Sequence, residues 1–408
     1  MHPENKNILA VNGGSSSIKF SLYTTEAERL PSKLLSGKID RVGKGGSKLT
    51  YTYKRRIKDE PAIGGRNGHL TGELPVKAKD AGEAASFLLD WLETQGIMPL
   101  AAIGHRVVHG LQHRHAVVID DSLLAELKSI AAYDPDHLPG EIDLIELFRR
   151  KTPGTTQVAC FDTAFHAGLP RLARLLPLPR RYDEAGVQRY GFHGLSYSYI
   201  MEELTRIDAS IARGSVIIAH LGSGASLAAI KDGSCVDTTM GFTPTGGIVM
   251  GTRTGDLDPG VIWYLIQKEQ LTAEQLNHLV NHESGLLGVS ATSGDMQDLL
   301  SRESSDERSA EAVGLFCYQV KKSIGAFSAV LGGLDALVFT GGIGERSPII
   351  RSRVCAGLGY LGIDLDQKAN RQNAIVLAAE GSRTAVYAIP TDEEWMIART
   401  VDQLLNQS

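Results

Sequence analysis

Six short segments of the 408-residue chain carry side chains suited to holding phosphate and carboxylate groups. The first, residues 12–19 (NGGSSSIK), puts two glycines, three serines and a lysine into one turn. Glycines let peptide N–H groups approach an anion closely, hydroxyls add donors and the lysine adds charge. Asn12 offers a neutral oxygen suited to a metal-bound water. This is not a P-loop, because G-x-x-x-x-G-K-[ST] is absent and the flanking pattern is strand rather than helix. GHRVVHG (104–110) ends an apolar run with Arg106 and His109, and an arginine at a strand end can grip a carboxylate or phosphate through two parallel bonds. FDTAFH supplies Asp162 and His166, and YGFHG supplies His193. Residues 241–260 hold six glycines, two prolines, Arg253, Asp256 and Asp258; long glycine-rich loops are disproportionately functional. TGGIGE (340–345) follows an apolar run as a nucleotide-binding turn, though G-G-x-G alone is a weak signal.

Taken singly, each segment also has a plain structural reading: a serine-rich hairpin turn, a surface ion pair, a core histidine. The set points to one reaction class. Phosphoryl transfer needs positioning and charge neutralisation more than covalent chemistry, and two arginines, several histidines, a strand-end carboxylate and glycine-rich turns supply both. No G-x-S-x-G elbow, H-E-x-x-H pair or reactive cysteine setting occurs.

The elements that must position these groups are α/β in pattern. Residues 8–23 read as a hairpin with a hydroxyl-rich turn, and 215–233 read as a second: VNGGSSSIKFSL and AHLGSGASLAAI look like an internal repeat. Such a repeat implies a duplicated fold with a cleft between its halves. Helical periodicity is predicted at 81–94, 120–131, 310–331 and in a mixed stretch from 261 to about 300. Strands are predicted at 101–108 and 157–161, and residues 33–79 are weakly patterned as strands and loops. ALVFTGGIGERS reads as a strand turning into a helix, and the chain closes on a strand, a proline break and an amphipathic helix with an acidic first turn.

Composition excludes several classes. A net charge of −5, from 42 Lys+Arg against 47 Asp+Glu, argues against nucleic-acid or anionic-membrane binding by bulk charge. No apolar run reaches membrane-helix length, the first residues lack a signal-peptide pattern, and four scattered cysteines suit a cytoplasmic protein. Glycine is the one excess, 44 residues, or roughly 11% where about 7% is usual. Two fall in each of 12–19, 104–110, 190–196 and 220–226, six in 241–260 and three in 340–345. The expectation is that they let the backbone meet phosphate.

NGGSSSIKF, GHRVVHG, FDTAFH, RYGFHGLS, HLGSGAS, MGFTPTGGIVMGTRTGDLDPG, FTGGIGE and IPTDEE, in this order across nearly the whole chain, resemble the acetate kinase family. The wider superfamily includes sugar kinases, heat-shock chaperones and actin. The resemblance implies two duplicated ribonuclease-H-like domains of actin type, mixed sheets with flanking helices and an active-site cleft between them. It implies an N-terminal domain of residues 1–164 plus 394–408 and a C-terminal nucleotide-binding domain of 165–393. It further implies a homodimer, Mg²⁺ (or Mn²⁺) dependence, and ATP with acetate as substrates of a direct in-line transfer giving acetyl phosphate and ADP. Propionate or butyrate kinase is the alternative within the class. A non-catalytic nucleotide-binding regulator is the alternative outside it.

Carried over by position, the resemblance gives Asn12 and Glu393 to the magnesium site, and Lys19, Ser15 and Ser17 to the phosphates. Arg106 and Arg253 hold the carboxylate and neutralise the migrating phosphoryl group, Asp162 is the essential acid, and His193 contacts the transition state. His220, Leu221, Gly222, Ser223 and Gly224 form one nucleotide turn, Gly341, Gly342, Ile343, Gly344 and Glu345 a second, and Asp295, Met296 and Gln297 a third. Val108, Phe192 and Pro244 line the substrate's alkyl pocket, and His137, within DPDHLP, matches a further catalytic histidine. Three positions depart from the family pattern: Ser223 stands for an asparagine, Gln297 for an arginine, and Asp136 for an apolar pocket residue.

Overall fold

A computed structural model describes residues 6–14, 17–25, 29–43, 45–54 and 69–407. The chain divides into two compact units, Met1–Ala164 with Asp392–Ser408, and Phe165–Thr391. In the first unit the apolar run 8–11 lies in β1 (Lys6–Gly14), which pairs antiparallel with β2 (Ser17–Thr25); Asn12 stands opposite Lys19 and Gly14 opposite Ser17. The weakly patterned segment beyond supplies β3 (Ser32–Asp40), β4 (Lys48–Lys54) and β5 (His69–Pro75), all antiparallel. On the other side of β1, β6 (Ala102–Val107) and β8 (Thr156–Phe161) run parallel, and β7 (Val117–Val118) closes the edge. The sheet order is β5-β4-β3-β2-β1-β6-β8-β7.

Strand alternation decides which side chains reach the site. Leu9, Val11, Phe20 and Ile103 face one way and are buried with Leu88 and Leu92 of the helix Ala81–Thr94 and Leu144 and Phe148 of the helix Leu138–Lys151. The intervening residues, Ala10, Asn12, Gly104 and Arg106, face the terminal helix Glu393–Gln407. That helix lies so close that a Cβ on Gly104 would stand 2.3 Å from Ile397 Cγ2 and 2.8 Å from Val401 Cγ2.

The second unit repeats the plan. Its strands are β9 (Ser215–Leu221), β10 (Ala225–Lys231), β11 (Ser234–Thr238), β12 (Ala336–Thr340) and β13 (Ala385–Ala388), in the order β11-β10-β9-β12-β13. The first three pair antiparallel and the last two join β9 in parallel, the senses also found along β3-β2-β1-β6-β8. The fold is therefore α/β with a duplicated mixed sheet of ribonuclease-H-like order. One face of this second sheet buries Val216, Ile218, Ala228, Ile230 and Val338 against Tyr197, Ile200 and Leu204 of the helix Gly194–Ile207. The helix Glu307–Leu331, N-capped by Asp306, packs against β9 and β10.

Three expectations change. The stretch 261–300 is not one helical run: left-handed Gln270, Gly285 and Ala291 break it into Pro259–Glu269, Ala273–His278, Gly285–Ser290 and Met296–Arg302. Two site-bearing helices, Leu138–Lys151 and Gly194–Ile207, form where the sequence pattern predicted no helix. The chain re-enters the first unit at Asp392 rather than 394, so Glu393 belongs to the first unit. Asp392 Oδ1 accepts from Trp395 N–H (2.9 Å) and Tyr23 O–H (3.2 Å), and Oδ2 meets Lys33 Nζ at 2.5 Å.

The contact at Gly104 yields a test. Gly104→Ala forces a methyl into the terminal helix, and the expected cost is about 1–3 kcal/mol by urea unfolding, as for other overpacked cores. An unchanged denaturation midpoint would show that the helix moves aside freely.

Candidate active site

In the first unit the site is built on Arg106, on the face shared with Asn12. Its Nε donates to both Asp162 oxygens (3.2 and 3.1 Å), Nη2 meets Asp162 Oδ2 at 2.5 Å, and Nη1 donates to Asn12 Oδ1 at 3.3 Å. Asp162 is 1% exposed. Burial opposes the guanidinium's charge, but Asp162 and Glu393 outweigh it, and Arg106 is held more firmly protonated than a free arginine. Asn12 Nδ2 donates in turn to Glu393 Oε2 (3.1 Å) and Glu394 Oε1 (3.5 Å). Burial, reinforced by Asp162 and Glu394, raises the Glu393 carboxyl to about 7, while Arg106 and Lys19 pull it down. Lys19, across from Asn12 in register, shares that face. Ser17 opens β2 opposite Gly14; Ser15 lies outside the described residues.

Val108, buried just beyond β6, donates its N–H to Glu141 Oε2 at 2.9 Å. Glu141 sits in the first turn of the helix Leu138–Lys151 and is also buried. Its Oε1 is buried without a hydrogen-bond partner. Burial lifts this carboxyl to about 8, against the pull of Arg106 and the Val108 N–H. His137 precedes the same helix, with Nδ1 2.9 Å from Asp134 Oδ1, and Asp136 beside it is half-buried. His109 is buried and kept neutral by that burial to about 4, although Asp134 favours its charge.

In the second unit His220 and Ser226 pair across β9 and β10 one step back from the hairpin turn, as Asn12 and Lys19 pair two steps back in the first hairpin. His193 takes the left-handed conformation (φ 59°) as N-cap of the helix Gly194–Ile207. Its ring stacks on His220, with centroids 4.3 Å apart, and its Nδ1 is 2.8 Å from Ser226 Oγ. His220 Nδ1 lies 2.8 Å from Ser196 Oγ. A Cβ on Gly224 would stand 3.4 Å from His193 Nε2 and 3.7 Å from Arg253 Nη1, which brings the three together. Arg253 Nη1 donates to Pro244 O at 3.3 Å. Phe192 is buried, and its carbonyl accepts from His166 Nε2 at 2.9 Å; His166, with Nδ1 at 3.2 Å from Cys235 Sγ, is a structural histidine.

The three expected nucleotide turns pack around this hairpin. Gly341 (φ +74°) abuts Leu221, whose carbonyl would lie 2.7 Å from an added Cβ. Gly342 and Ile343 follow in the helix Gly341–Arg346, where Gly344 O accepts from Arg351 Nη1 (2.7 Å) and Glu345 Oε1 from Thr391 N–H (3.0 Å). The hairpin turn is closed by Gly222 N–H to Gly224 O at 3.0 Å, and Ser223 O accepts from Gly251 N–H at 3.0 Å. Gly251 in turn touches Gly294, next to the third turn. There Asp295 spends its carboxylate capping Gln297 and Asp298 N–H groups, Met296 points into the core and Gln297 is exposed. Sequence reasoning missed Glu141, Glu394, Ser226 and Tyr197. The strand period could have found Ser226, which alternates with Ala228 and Ile230.

Among the described residues no cluster of three or more His, Cys, Asp or Glu side chains is arranged to hold a metal by itself. Asn12 and Glu393 still suit Mg²⁺, which keeps several waters and binds through one or two carboxylates plus substrate phosphates. A buried carboxyl raised to about 7 is also where a divalent cation would favour the charged form.

A duplicated ribonuclease-H-like sheet whose first unit carries a locked arginine, and whose second carries a stacked histidine, an arginine and glycine turns, fits an α/β phosphotransferase. Within that class the chain belongs to the acetokinase family, whose model matches residues 7–399. It is 42% identical over 405 residues to an acetate kinase of Rhodopseudomonas palustris, covering 97% of this chain and 98% of that protein. It is 40% identical over 402 residues to a propionate kinase of Citrobacter rodentium, covering 97% and 96%. Among solved structures it is similar to acetate kinase from Porphyromonas gingivalis (TM-score 0.84, 33% identity, covering 98% and 100% of the two chains). It is likewise similar to a propionate kinase from Francisella tularensis (TM-score 0.86, 31%, covering 97% and 98%). The chain is a kinase, and no helix among the described residues is long and apolar enough to cross a membrane.

Glu141 gives a pH test. A carboxyl raised to about 8 binds its proton in the folded state where the unfolded chain, near 4.3, has lost it. Folding stability from this group is therefore greatest below about pH 4 and falls as pH rises towards 8. Glu141→Gln keeps an acceptor for Val108 N–H and removes the titration. The melting temperature of the variant minus that of the native chain is expected to rise between pH 5 and pH 8; a flat difference would refute a protonated Glu141.

Proposed function

We propose that the chain catalyses reversible transfer of the γ-phosphoryl group of ATP to acetate, giving acetyl phosphate and ADP. The observation that carries this reading is the Arg106 fork: a guanidinium locked by a buried Asp162, on one face with Asn12, Lys19 and Glu393. A fixed cation with flanking donors is what a short carboxylate and a migrating phosphoryl group both need. We assign carboxylate handling to the first unit, an acetokinase domain, and nucleotide binding to the second.

A carboxylate oxygen attacks the γ-phosphorus in line, the new O–P bond forms as the bond to the β-phosphate oxygen breaks, and ADP leaves. Acetate is already ionised at neutral pH, so no proton has to be removed. Arg106 and Arg253 neutralise the equatorial phosphoryl oxygens, and His193 donates to them from Nε2. Asp162 keeps Arg106 oriented. His137 acts from the helix start next to Asp134. Val108, Phe192 and Pro244 line the alkyl pocket, while the turns 220–224, 295–297 and 341–345 with Lys19, Ser15 and Ser17 cradle the nucleotide's phosphates and base. Mg²⁺ (or Mn²⁺), held by Asn12 and Glu393, would supply charge neutralisation on the phosphates.

A propionate kinase is the second reading, favoured by the 40% identity to the Citrobacter rodentium protein. One methylene in an apolar pocket is worth about 1–3 kcal/mol, so the two substrates overlap. The chain is further proposed to act in the cytoplasm as a homodimer; an apolar helix face with Trp263 66% and Tyr264 59% exposed supports a second copy.

The test is trapping with hydroxylamine, using MgATP and acetate, propionate or butyrate. Acyl hydroxamate is expected, most from acetate; none from any acid would overturn the reading. Arg253→Ala is expected to lose roughly 10³–10⁵ in turnover, as for other charge-neutralising arginines, with ATP binding largely retained. Native turnover in that variant would remove Arg253 from the reaction.

A further inference from the structure

The contacts of His193 extend past its neighbours in the site to two side chains that were given no role in the sequence analysis. Its Nδ1 is 2.8 Å from Ser226 Oγ, and Ser226 Oγ is 2.5 Å from Tyr197 Oη. Ser226 and Tyr197 are both 0% exposed. They come from different elements: Ser226 from β10, on the face of Ala228 and Ile230, and Tyr197 from one turn along the helix that His193 caps. Tyr197 N–H also donates to His193 O at 3.0 Å, so backbone and side chain both tie the tyrosine to the histidine. The ring is clamped a third time by its stack on His220, itself held by Ser196.

Two hydroxyls and an imidazole nitrogen in a row must choose a direction. A phenol is a stronger acid than an aliphatic alcohol, so in the short Tyr197–Ser226 contact the phenol O–H is the donor and Ser226 Oγ the acceptor. The serine proton is then directed at His193 Nδ1, which accepts it. The other ring nitrogen carries the hydrogen, and that nitrogen is the one turned towards Gly224 and Arg253. The partner of one imidazole nitrogen sets the tautomer of the other.

We propose that Tyr197 and Ser226 form a buried relay that fixes His193 in the Nε2–H tautomer, and that both are positioning residues for it. The proposal rests on His193 being the histidine that donates to the phosphoryl group. The relay accounts for a left-handed histidine (φ 59°) at the start of a helix it does not cap with its side chain. Strained backbone persists where surrounding contacts over-determine it, and here two contacts and a stack do so. It also gives the histidine a defined job. An anionic phosphoryl oxygen needs a donor at Nε2, and an imidazole free to exchange tautomers would present an acceptor part of the time.

The test uses the full-length chain with ¹⁵N-labelled histidine, the His193→Gln spectrum identifying the His193 resonances. Ring ¹⁵N shifts and couplings of His193 are expected to report protonated Nε2 and unprotonated Nδ1 in the native chain, and a mixed tautomer in Ser226→Ala. In the kinase assay Ser226→Ala is expected to lower kcat roughly 10–100-fold, by analogy with the outer partners of metal-bound histidines. KM for ATP should change little. Ser226→Thr, which keeps the hydroxyl, is expected to restore both signatures, and Tyr197→Phe to loosen the tautomer with Ser226 still present. Protonated Nδ1 in the native chain, or an unchanged His193 spectrum in a folded Ser226→Ala variant, would overturn the relay. Native kcat in Ser226→Ala would overturn its role in positioning. If the native chain forms no acyl phosphate, the kinase reading falls while the spectra still decide the tautomer.

Discussion

Everything in the first unit's site depends on the buried pairing of Arg106 with Asp162. Arg106 is one guanidinium facing the carboxyl groups of Asp162, Glu393 and Glu141. Removing both charges from water is costly, and the pair is retained only because the fork satisfies both acid oxygens and Asn12 takes a further N–H. Burial pushes Glu141 and Glu393 up, and the pull of Arg106, which is already engaged with Asp162, lowers both without overcoming it. The first unit therefore holds a cationic grip whose surroundings remain short of positive charge. In the proposed reaction, a phosphoryl donor arriving with a divalent cation would answer that imbalance.

The second unit shows the same scaffold carrying different chemistry. Each hairpin of this shared design has a slot near its turn that holds a cross-strand pair, Asn12 with Lys19 in one and His220 with Ser226 in the other. Strand alternation sends all four to the face covered by a helix, the terminal helix Glu393–Gln407 in one case and Gly194–Ile207 in the other. In the first unit that helix brings acids to the slot. In the second it brings serine, tyrosine and a left-handed histidine. Duplication has kept the geometry and let the functional groups diverge, as expected when function resides in side chains grafted on a common fold.

Much of this was legible in the sequence because it rests on short-range signals. Both hairpins announce themselves by apolar runs meeting glycine-serine turns, and the helices Ala81–Thr94 and Glu307–Leu331 by period; in the structure Asp80 and Asp306 cap them. The helix Leu138–Lys151 was hidden by Pro139 and Gly140 in its first turn, where a missing N–H costs nothing but the local pattern reads as a break. Glu141 was illegible for a related reason: an acid in a first helical turn is ordinary, and only the fold shows it buried against Val108. Ser226 and Tyr197, 29 positions apart, meet only after a strand and a helix have packed. Their partnership is tertiary, and no local pattern encodes it.

The glycine excess divides between two physical causes. Gly224 and Gly342 leave space: a Cβ on Gly342 would meet nothing within 4 Å, and one on Gly224 would only reach ordinary contact with His193 Nε2 (3.4 Å) and Arg253 Nη1 (3.7 Å). Those positions are compatible with backbone meeting phosphate. Gly104 and Gly110 are not, since an added Cβ would stand 2.3 Å from Ile397 and 2.4 Å from Phe161. There the missing side chain lets protein approach protein. Gly104 admits the helix that brings Glu393 to Asn12, and Gly110, by clearing Phe161, lets the chain after Arg106 run past the strand that leads to Asp162. The first set of glycines leaves space beside the turns, whereas the second brings Asn12, Glu393, Arg106 and Asp162 within reach of one another. Composition alone registers both as one excess, because the absence of a side chain is chemically identical whichever atoms fill the space.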